Sequence, residues 1–336
     1  MSELRVGAER MIQRIQSGEA IDVLICTERL NHFDGSDIVS LVKHPRVASI
    51  TFRANLSEAV KAGEHYDVAL VLTHWVDEVT DLRLARAHDA ADLIVLWIWD
   101  NHIAENFHRQ AAGLADVVIP AHAFNVGYLC GPMNIVLPAV SIPSVQWNRA
   151  TVETVFETES FGDRLDSLYG PYFTYKEYPE REFLLRKCLE QNVSDAIKLR
   201  NGNDNRDDFF SMSSADRLRE WMTYKTSVCL PLKRDLSSRL FDALVAGQVP
   251  IAPTRIHDLD LVIAPEVQAW LPIVRFDEYT VEAVSAAHRE ALRRFDAEGA
   301  AGVLRRNKYA VENHLAANRL AQVLEAIMTL QSAYRR

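Results

Sequence analysis

Short runs of Val, Ile and Leu recur along the first half of the chain and alternate with helix-like segments. Few polar residues interrupt these runs, which is typical of strands that are covered on both faces. Strands that alternate with helices predict βαβ units and a parallel sheet. The predicted strands of this half are 21–27, 47–53, 67–75, 92–100, 115–121 and 134–140.

A second alternating series follows residues 141–167, whose weak periodicity indicates a linker and crossover. Its predicted strands are 167–173, 195–200, 227–232, 249–253 and 271–276, and two long helices, 280–296 and 306–332, are predicted to close the chain. With 336 residues the chain has room for about two domains. We therefore predict an α/β protein of two tandem Rossmann-like domains, whose parallel sheets face a central cleft. The predicted parts are residues 1–150, residues 151–310 and a C-terminal helix at 311–336 that could pack back on the first domain.

Composition and charge exclude several classes of protein. The formal net charge of -9 disfavours a general nucleic-acid role, which usually requires a basic face. The four cysteines are scattered without a C-x-x-C pair, so we expect no disulfide framework and a cytoplasmic location. No apolar run reaches the roughly 20 residues of a membrane span, although peripheral membrane contact stays open.

Several well-known site motifs are missing. The loop after the first strand, "ERLNHFDGSD", has a single glycine, so a dinucleotide site with G-x-G-x-x-G is not expected. The chain also lacks a P-loop, H-E-x-x-H, C-x-x-C and G-x-S-x-G. We therefore expect neither a bound metal nor a tightly held cofactor.

The stretch "KRDLSSRLFDALVAGQVPIAP" at 233–253 combines cations and hydroxyls with the start of an apolar helix. A helix N-terminus attracts anions, because its N–H groups are free and its dipole is positive there. Lys233 and Arg239 add charge, and Ser237 and Ser238 add neutral donors, one of them as the N-cap. The stretch is therefore a candidate cradle for a phosphate or diphosphate. A capped helix with a solvated, charged start is the alternative interpretation.

Two further residues of this stretch have predicted roles. Gly247 is predicted to end the helix in the left-handed region. Asp242, about one turn into the helix, could accept hydrogen bonds from a ribose or sugar hydroxyl.

The same stretch resembles the most recognisable segment of GT-B-fold glycosyltransferases and is similar to the group 1 and exostosin-like enzymes. Their pattern, roughly R-x-x-E-A-x-x-x-G-x-x-P-[IV], is matched by Arg239, Asp242, Ala243, Gly247, Pro250 and Ile251. The resemblance implies that the acid at Asp242 contacts the nucleotide ribose and that the helix start faces the donor diphosphate. Asp242 replaces the more usual Glu, and Arg234 stands where retaining group 1 enzymes often carry a second Glu. The stereochemical outcome therefore stays open.

Two other segments of the second half are candidate donor contacts. In "YGPYFTYKEYPERE" the resemblance implies a glycine turn followed by basic residues, which would be Gly170, Lys176 and Arg181. In "NGNDNRDDFFSMSSADR" the resemblance implies a base pocket, and its apolar residues are Phe209, Phe210 and Met212. A surface loop and ordinary core packing are the respective alternatives.

Polar side chains also follow the predicted strands of the first half. Asp100, Asn101 and His102 come after the strand at 92–100, and a carboxylate or imidazole there could deprotonate an acceptor hydroxyl. Alternatively, Asp100 or Asn101 caps the next helix. Further acceptor- or sugar-side candidates are His32, Asp34, His74 and His122, and a structural role is the alternative for His74 and His122.

These observations predict a glycosyltransferase that moves a sugar from a nucleotide-sugar donor to an acceptor hydroxyl without a metal. The acceptor would be a glycan, a lipid-linked molecule or a protein. Asp100 and His102 are the predicted catalytic residues. A sugar-nucleotide epimerase of the same architecture and a non-catalytic two-domain binding protein are the alternatives.

Overall fold

The computed structural model describes residues 4–27, 33, 46–73, 77–87, 89–161, 163–175, 178–201 and 211–330. The chain divides into two compact units. The first comprises Met1–Ile142 and Ala317–Arg336, and the second comprises Pro143–Ala316.

The first unit alternates helices and strands along the sequence. Its elements up to residue 142 are α1 (Val6–Ser17), β1 (Ile21–Cys26), β2 (Val47–Arg53), α2 (Leu56–Ala62), β3 (Tyr66–Thr73), α3 (Asp77–Ala87), β4 (Ala91–Ile98), α4 (Glu105–Ala112), β5 (Val117–Pro120) and β6 (Ile135–Val136). The strands form one sheet in the order β2-β1-β3-β4-β5-β6, and every neighbouring pair is parallel. Seven of the eight residues of β4 are buried, as the unbroken apolar run "ADLIVLWI" predicts for a strand covered on both faces.

A buried ion pair fastens the start of this unit. Asp116, just before β5, is fully buried and accepts from Arg5 Nε at 3.1 Å and Arg5 Nη2 at 2.7 Å. The backbone N–H of Ile94 donates to the same carboxylate at 2.8 Å. Arg5 also donates to the carbonyls of Ala91 and Asp92, so the residue that precedes α1 is bound to β4 and β5.

The second unit repeats the alternation. Its elements are α5 (Arg149–Thr158), β7 (Leu165–Thr174), α6 (Pro179–Glu190), β8 (Ile197–Asn201), α7 (Ser214–Met222), β9 (Tyr224–Val228), α8 (Ser238–Val245), β10 (Val249–Pro253), α9 (Leu259–Val262), α10 (Pro265–Gln268), β11 (Val274–Phe276) and α11 (Val281–Asn313). The strand order is β11-β10-β9-β7-β8, and again every pair is parallel. The predicted fold class, α/β with two Rossmann-like parallel sheets, is confirmed.

Element bounds differ from the prediction at several places; for example, the strands predicted at 134–140 and 271–276 are shorter, Ile135–Val136 and Val274–Phe276. The strand predicted at 227–232 is β9, which ends at Val228, because the N–H of Leu230 is bonded to the Tyr172 hydroxyl at 2.7 Å and Pro231 has no N–H. The helix predicted at 280–296 continues to Asn313 as α11, with a kink at Gly299, where the backbone angles are not helical. The second predicted helix, 306–332, is therefore divided between the end of α11 and a separate helix, α12 (Ala316–Met328).

None of the helices in the described part of the chain is both long enough and apolar enough to cross a membrane.

Candidate functional site

Helix α8 of the second unit begins at the candidate anion site. Ser237 is the N-cap, and its hydroxyl accepts from the N–H of Arg239 at 3.4 Å. The six residues from Leu240 to Val245 are all buried, so the helix body belongs to the core and its start alone is accessible. Gly247 follows the helix with φ of +73°, which confirms the predicted left-handed stop.

Arg239 is held against strand β7 by two contacts. Its Nε donates to the carbonyl of Pro171 at 3.2 Å, and its Cζ lies 4.5 Å from the centre of the Tyr172 ring. The ring is itself fixed, because the Tyr172 hydroxyl donates to Val228 O at 2.7 Å and accepts from Leu230 N at 2.7 Å. A guanidinium anchored through Nε and its face can still direct the remaining donors outward.

Arg181 of α6 approaches the same tyrosine. Its Nη2 donates to the carbonyl of Phe173 at 2.9 Å, and its Cζ lies 5.0 Å from the Tyr172 ring and 5.4 Å from the Tyr175 ring. Two guanidinium groups are thus bound to neighbouring carbonyls of β7 and lie over one ring. The sequence pointed to Arg181 as a candidate cation but gave no sign that Tyr172 would hold it.

The charges of Arg181 and Arg239 favour the binding of an anion beside Tyr172. Burial, and then the neighbouring charge of Arg239, lower the pKa of Arg181 to about 10. Asp235 opposes this shift, but more weakly than Arg239 produces it. Among the described residues no carboxylate forms an ion pair with either guanidinium. Two close positive charges without a paired acid repel each other, and a bound anion would relieve that repulsion.

The loop between β9 and α8 adds two exposed cations in an unusual backbone conformation. Lys233 and Arg234 have φ of +43° and +65°, and Asp235 N donates to Leu232 O at 2.8 Å across this turn. Consecutive non-glycine residues in the left-handed region cost free energy, and such strain is concentrated at functional sites. The ammonium of Lys233 lies 5.9 Å from the Tyr178 ring centre.

The other donor-side candidates are placed as follows. Ser238, the first residue of α8, is half-buried beside Arg239. Met212 is half-buried before α7, and its carbonyl accepts from Arg217 at 2.6 Å. Lys176, Phe209 and Phe210 lie outside the described residues.

Gly170 lies within the strand predicted at 167–173 and not in the glycine turn that the resemblance implies. It belongs to β7 and is paired with Ile197 of β8. A Cβ at this position would lie 2.9 Å from Val228 Cγ1, so the glycine allows close packing between strands. A ligand contact of its backbone stays a prediction.

Asp242 is more deeply enclosed than the resemblance implies. Its side chain is buried, and its two oxygens accept from Ser144 Oγ at 2.6 Å and Gln146 Nε2 at 2.8 Å. The predicted ribose contact stays a prediction, and it requires a ligand hydroxyl to reach this buried side chain.

In the first unit two of the candidate histidines lie side by side. His102 follows β4 and His122 follows β5; both are buried, with ring centres 4.6 Å apart and ring planes at 88°. Asn101 organises the pair, since its Oδ1 accepts from His122 N at 2.9 Å and its Nδ2 donates to His122 O at 3.1 Å. The structure thus brings together two imidazoles that the sequence had placed only on neighbouring strand ends.

The remaining first-unit candidates have different outcomes. Asp100 is half-buried, and its carbonyl accepts from Ile103 N at 2.9 Å. The alternative role of Asp100 or Asn101 as a helix cap is wrong, because Ala104 is the N-cap of α4 and no side chain caps it. His32, Asp34 and His74 lie outside the described residues.

Comparison with known proteins identifies the fold. The sequence matches no protein-family model and has no significant match among curated proteins. Among solved structures, it is similar to the O-GlcNAc transferase of Thermobaculum terrenum, with a TM-score of 0.51 and 10% identity over 95% of this chain and 69% of that one. A second similar structure is the UDP-forming α,α-trehalose-phosphate synthase from Burkholderia xenovorans, with a TM-score of 0.48 and 13% identity over 79% of this chain and 74% of that one. A third is the catalytic domain of starch synthase IV from Arabidopsis thaliana, with a TM-score of 0.47 and 10% identity over 90% of this chain and 79% of that one.

Two observations agree with the GT-B pattern found in "RLFDALVAGQVPI". One is the likeness to the O-GlcNAc transferase structure, and the other is the pair of parallel sheets with six and five strands. The chain therefore has the two Rossmann-like sheets of the GT-B glycosyltransferase fold.

Proposed function

We propose that the protein is a glycosyltransferase whose second unit binds the diphosphate of a nucleotide-sugar donor. The observation that carries the proposal is the pair of guanidinium groups, Arg181 and Arg239, held over Tyr172 at the start of α8 without a paired carboxylate among the described residues. Arg groups pre-organised in this way bind phosphate oxygens with charge-assisted hydrogen bonds.

The same cations give the proposed site its chemistry. Cleavage of the bond between sugar and diphosphate leaves negative charge on the leaving group, and fixed donors that face this charge lower the barrier. Arg181, Arg239, Lys233 and the first N–H groups of α8 are the proposed stabilising groups, with Lys176 as a further candidate. Their combined charge supports a reaction that proceeds without a metal.

The first unit is proposed to receive the acceptor, whose hydroxyl would transfer its proton to His102 or Asp100. A general base contributes most when it lies at the site of the reacting hydroxyl. The pairing of His102 with His122 at the carboxyl ends of β4 and β5 supports this assignment, because ligands of open parallel sheets bind at that edge. A glycan, a lipid-linked molecule or a protein is the proposed acceptor, and a cytoplasmic location is proposed with it.

Nucleotide binding tests the donor half of the proposal. Titration calorimetry with UDP, GDP, CMP, dTDP and ADP, each with and without EDTA, is expected to show binding of one of these that does not depend on metal. Arg239→Ala is expected to weaken that binding about 10- to 100-fold, since one or two charge-assisted hydrogen bonds contribute about 1.5–3 kcal/mol.

Arg186→Ala is the matched control, because Arg186 is an exposed cation on the same unit that pairs with Glu182 of its own helix. It changes the net charge by the same amount and is expected to leave the dissociation constant within about twofold. Equal losses in both variants would point to non-specific charge effects. Absence of binding to all five nucleotides would overturn the proposed function.

A further inference from the structure

The two terminal segments of the second unit are bonded to each other. Ser144 stands one residue inside the unit, and its N–H donates to the carbonyl of His314 at 2.8 Å. Ser144 also forms a parallel β-bridge with Leu315, one residue before the unit ends at Ala316. The two segments through which the chain enters and leaves this unit therefore lie side by side.

Helix α8 contacts both segments through adjacent residues. The Asp242 carboxylate accepts from Ser144 Oγ at 2.6 Å and from Gln146 Nε2 at 2.8 Å, and the nearby backbone N–H of Val145 helps to lower its pKa. The ring of Phe241 stacks on His314 with centres 4.4 Å apart and planes at 22°. One turn of α8 therefore fixes residues 144–146 on one side and His314 on the other.

We propose that Asp242 is a positioning residue that fastens helix α8, and with it the cations at the helix start, to the paired segments at the two ends of the second unit. The two side-chain hydrogen bonds it accepts each span about a hundred residues of sequence, so they constrain α8 relative to the segment at residues 144–146. The expected effect of Asp242 on ligand binding rests on the proposed function, because it assumes that the cations at the start of α8 bind a diphosphate. The fastening of α8 does not rest on that assumption.

This role differs from the ribose contact that the resemblance implies. A carboxylate that binds ribose must be reachable by the ligand, but Asp242 is buried and each of its two oxygens already accepts a hydrogen bond from inside the protein. A buried carboxylate that accepts several hydrogen bonds is costly to disturb, because each donor would lose its partner as well.

The surroundings of Asp242 make its contribution to stability dependent on pH. Burial raises the pKa of Asp242 to about 6, while the donors Ser144 and Gln146, the charge of Arg239 and the Val145 N–H act in the opposite direction. The other ionisable groups that act on it are Arg217 of α7, a cation, and Cys229, whose pKa is raised to about 12 by burial and which is therefore neutral.

The direction of the pH effect on stability follows from the pKa of Asp242, which is about 6 in the folded protein and has a reference value of 3.8 for an unperturbed Asp. Between about pH 4 and pH 6 the folded unit holds a proton on Asp242 that the unfolded chain has released. The contribution of Asp242 to stability therefore rises as pH falls through this window. Wild-type protein is expected to lose more stability than Asp242→Asn when pH is raised from 4 to 7, measured by urea denaturation.

Hydrogen exchange tests the fastening directly. In Asp242→Ala, the Ser144 and Val145 amides are expected to exchange at least tenfold faster. Asp242→Asn is expected to keep them near wild-type rates, because Asn can accept from Ser144 and donate to the Gln146 side-chain oxygen after an amide flip. Ser144→Ala, which removes a single donor, is expected to give an intermediate increase even where Asp242→Ala does not fold.

Ser194→Ala is the matched control, since Ser194 is a buried serine of the same unit whose hydroxyl donates to Leu168 O at 2.9 Å. Exchange at Ser144 and Val145 should not change in this variant. If Asp242→Ala and Ser144→Ala both leave those amides as protected as in wild type, the proposal is overturned.

Ligand binding separates this role from a ribose contact. Inorganic diphosphate has no ribose, so a positioning role predicts that Asp242→Ala weakens UDP and inorganic diphosphate by the same factor, about five- to tenfold. A loss confined to UDP, with unchanged amide exchange, would overturn the proposal in favour of a ribose contact. If neither ligand binds wild-type protein, the proposed function fails and the exchange rates alone decide the positioning role.

Discussion

Gly247→Ala is expected to lower the free energy of unfolding of the second unit by about 2–5 kcal/mol. Gly247 has φ of +73°, where a residue with a Cβ pays about 1–2 kcal/mol. The added methyl group would also lie 2.6 Å from Val303 Cγ1 and 3.0 Å from the Val303 carbonyl. Val303 is fully buried in α11, so α8 or α11 must shift, and such overpacking costs about 1–3 kcal/mol.

Urea denaturation followed by circular dichroism measures this loss, and Gly63→Ala separates its two causes. Gly63 has φ of +67° and no atom within 4 Å of its hypothetical Cβ, so it carries the backbone cost alone. We expect Gly63→Ala to lose about 1–2 kcal/mol. Equal losses in the two variants would show that the contact with Val303 contributes nothing.

Gly247 also illustrates what the sequence could predict. The helix stop, the strand after it and the N-cap of α8 follow from patterns within about twenty residues, because dihedral preference and local hydrogen bonding act over that distance. The parallel sheets were predictable for the same reason, since runs such as "DLIVLWI" encode burial on both faces. Local signals therefore gave the elements and the likeness to a known fold.

Contacts between distant residues could not be predicted in this way. Asp242 is bonded to Ser144, 98 residues earlier, and no local pattern marks the serine as a partner. Gly170 was expected from the resemblance in a turn, but it lies inside β7, where the close approach of Val228, a residue 58 positions later, leaves no room for a Cβ. Tyr172 was missed as the residue that holds Arg181 and Arg239, because no local pattern marks it as their partner.

The second large effect is expected in the first unit, at the ion pair that binds the start of α1 to the sheet. Arg5→Leu would leave the Asp116 carboxylate fully buried with the Ile94 N–H as its remaining donor among the contacts described. Removing one partner of a buried pair costs about 3–5 kcal/mol, because the other charge stays in a poorly solvated position. Urea denaturation should therefore show a fall of this size in the free energy of unfolding.

Arg14→Leu is the matched control, because Arg14 lies in α1, the helix that Arg5 precedes, and pairs with Asp67 where both side chains remain partly exposed. It is expected to cost about 1 kcal/mol or less.

The double variant Arg5→Leu/Asp116→Asn tests whether the stranded charge is the cause. Asn keeps an acceptor for the Ile94 N–H but carries no charge, so the double variant should be more stable than Arg5→Leu alone by about 1–3 kcal/mol. If the two substitutions instead destabilise the unit additively, the loss in Arg5→Leu comes from the contacts of Arg5 with the carbonyls of Ala91 and Asp92, and the ion pair is not what fastens α1.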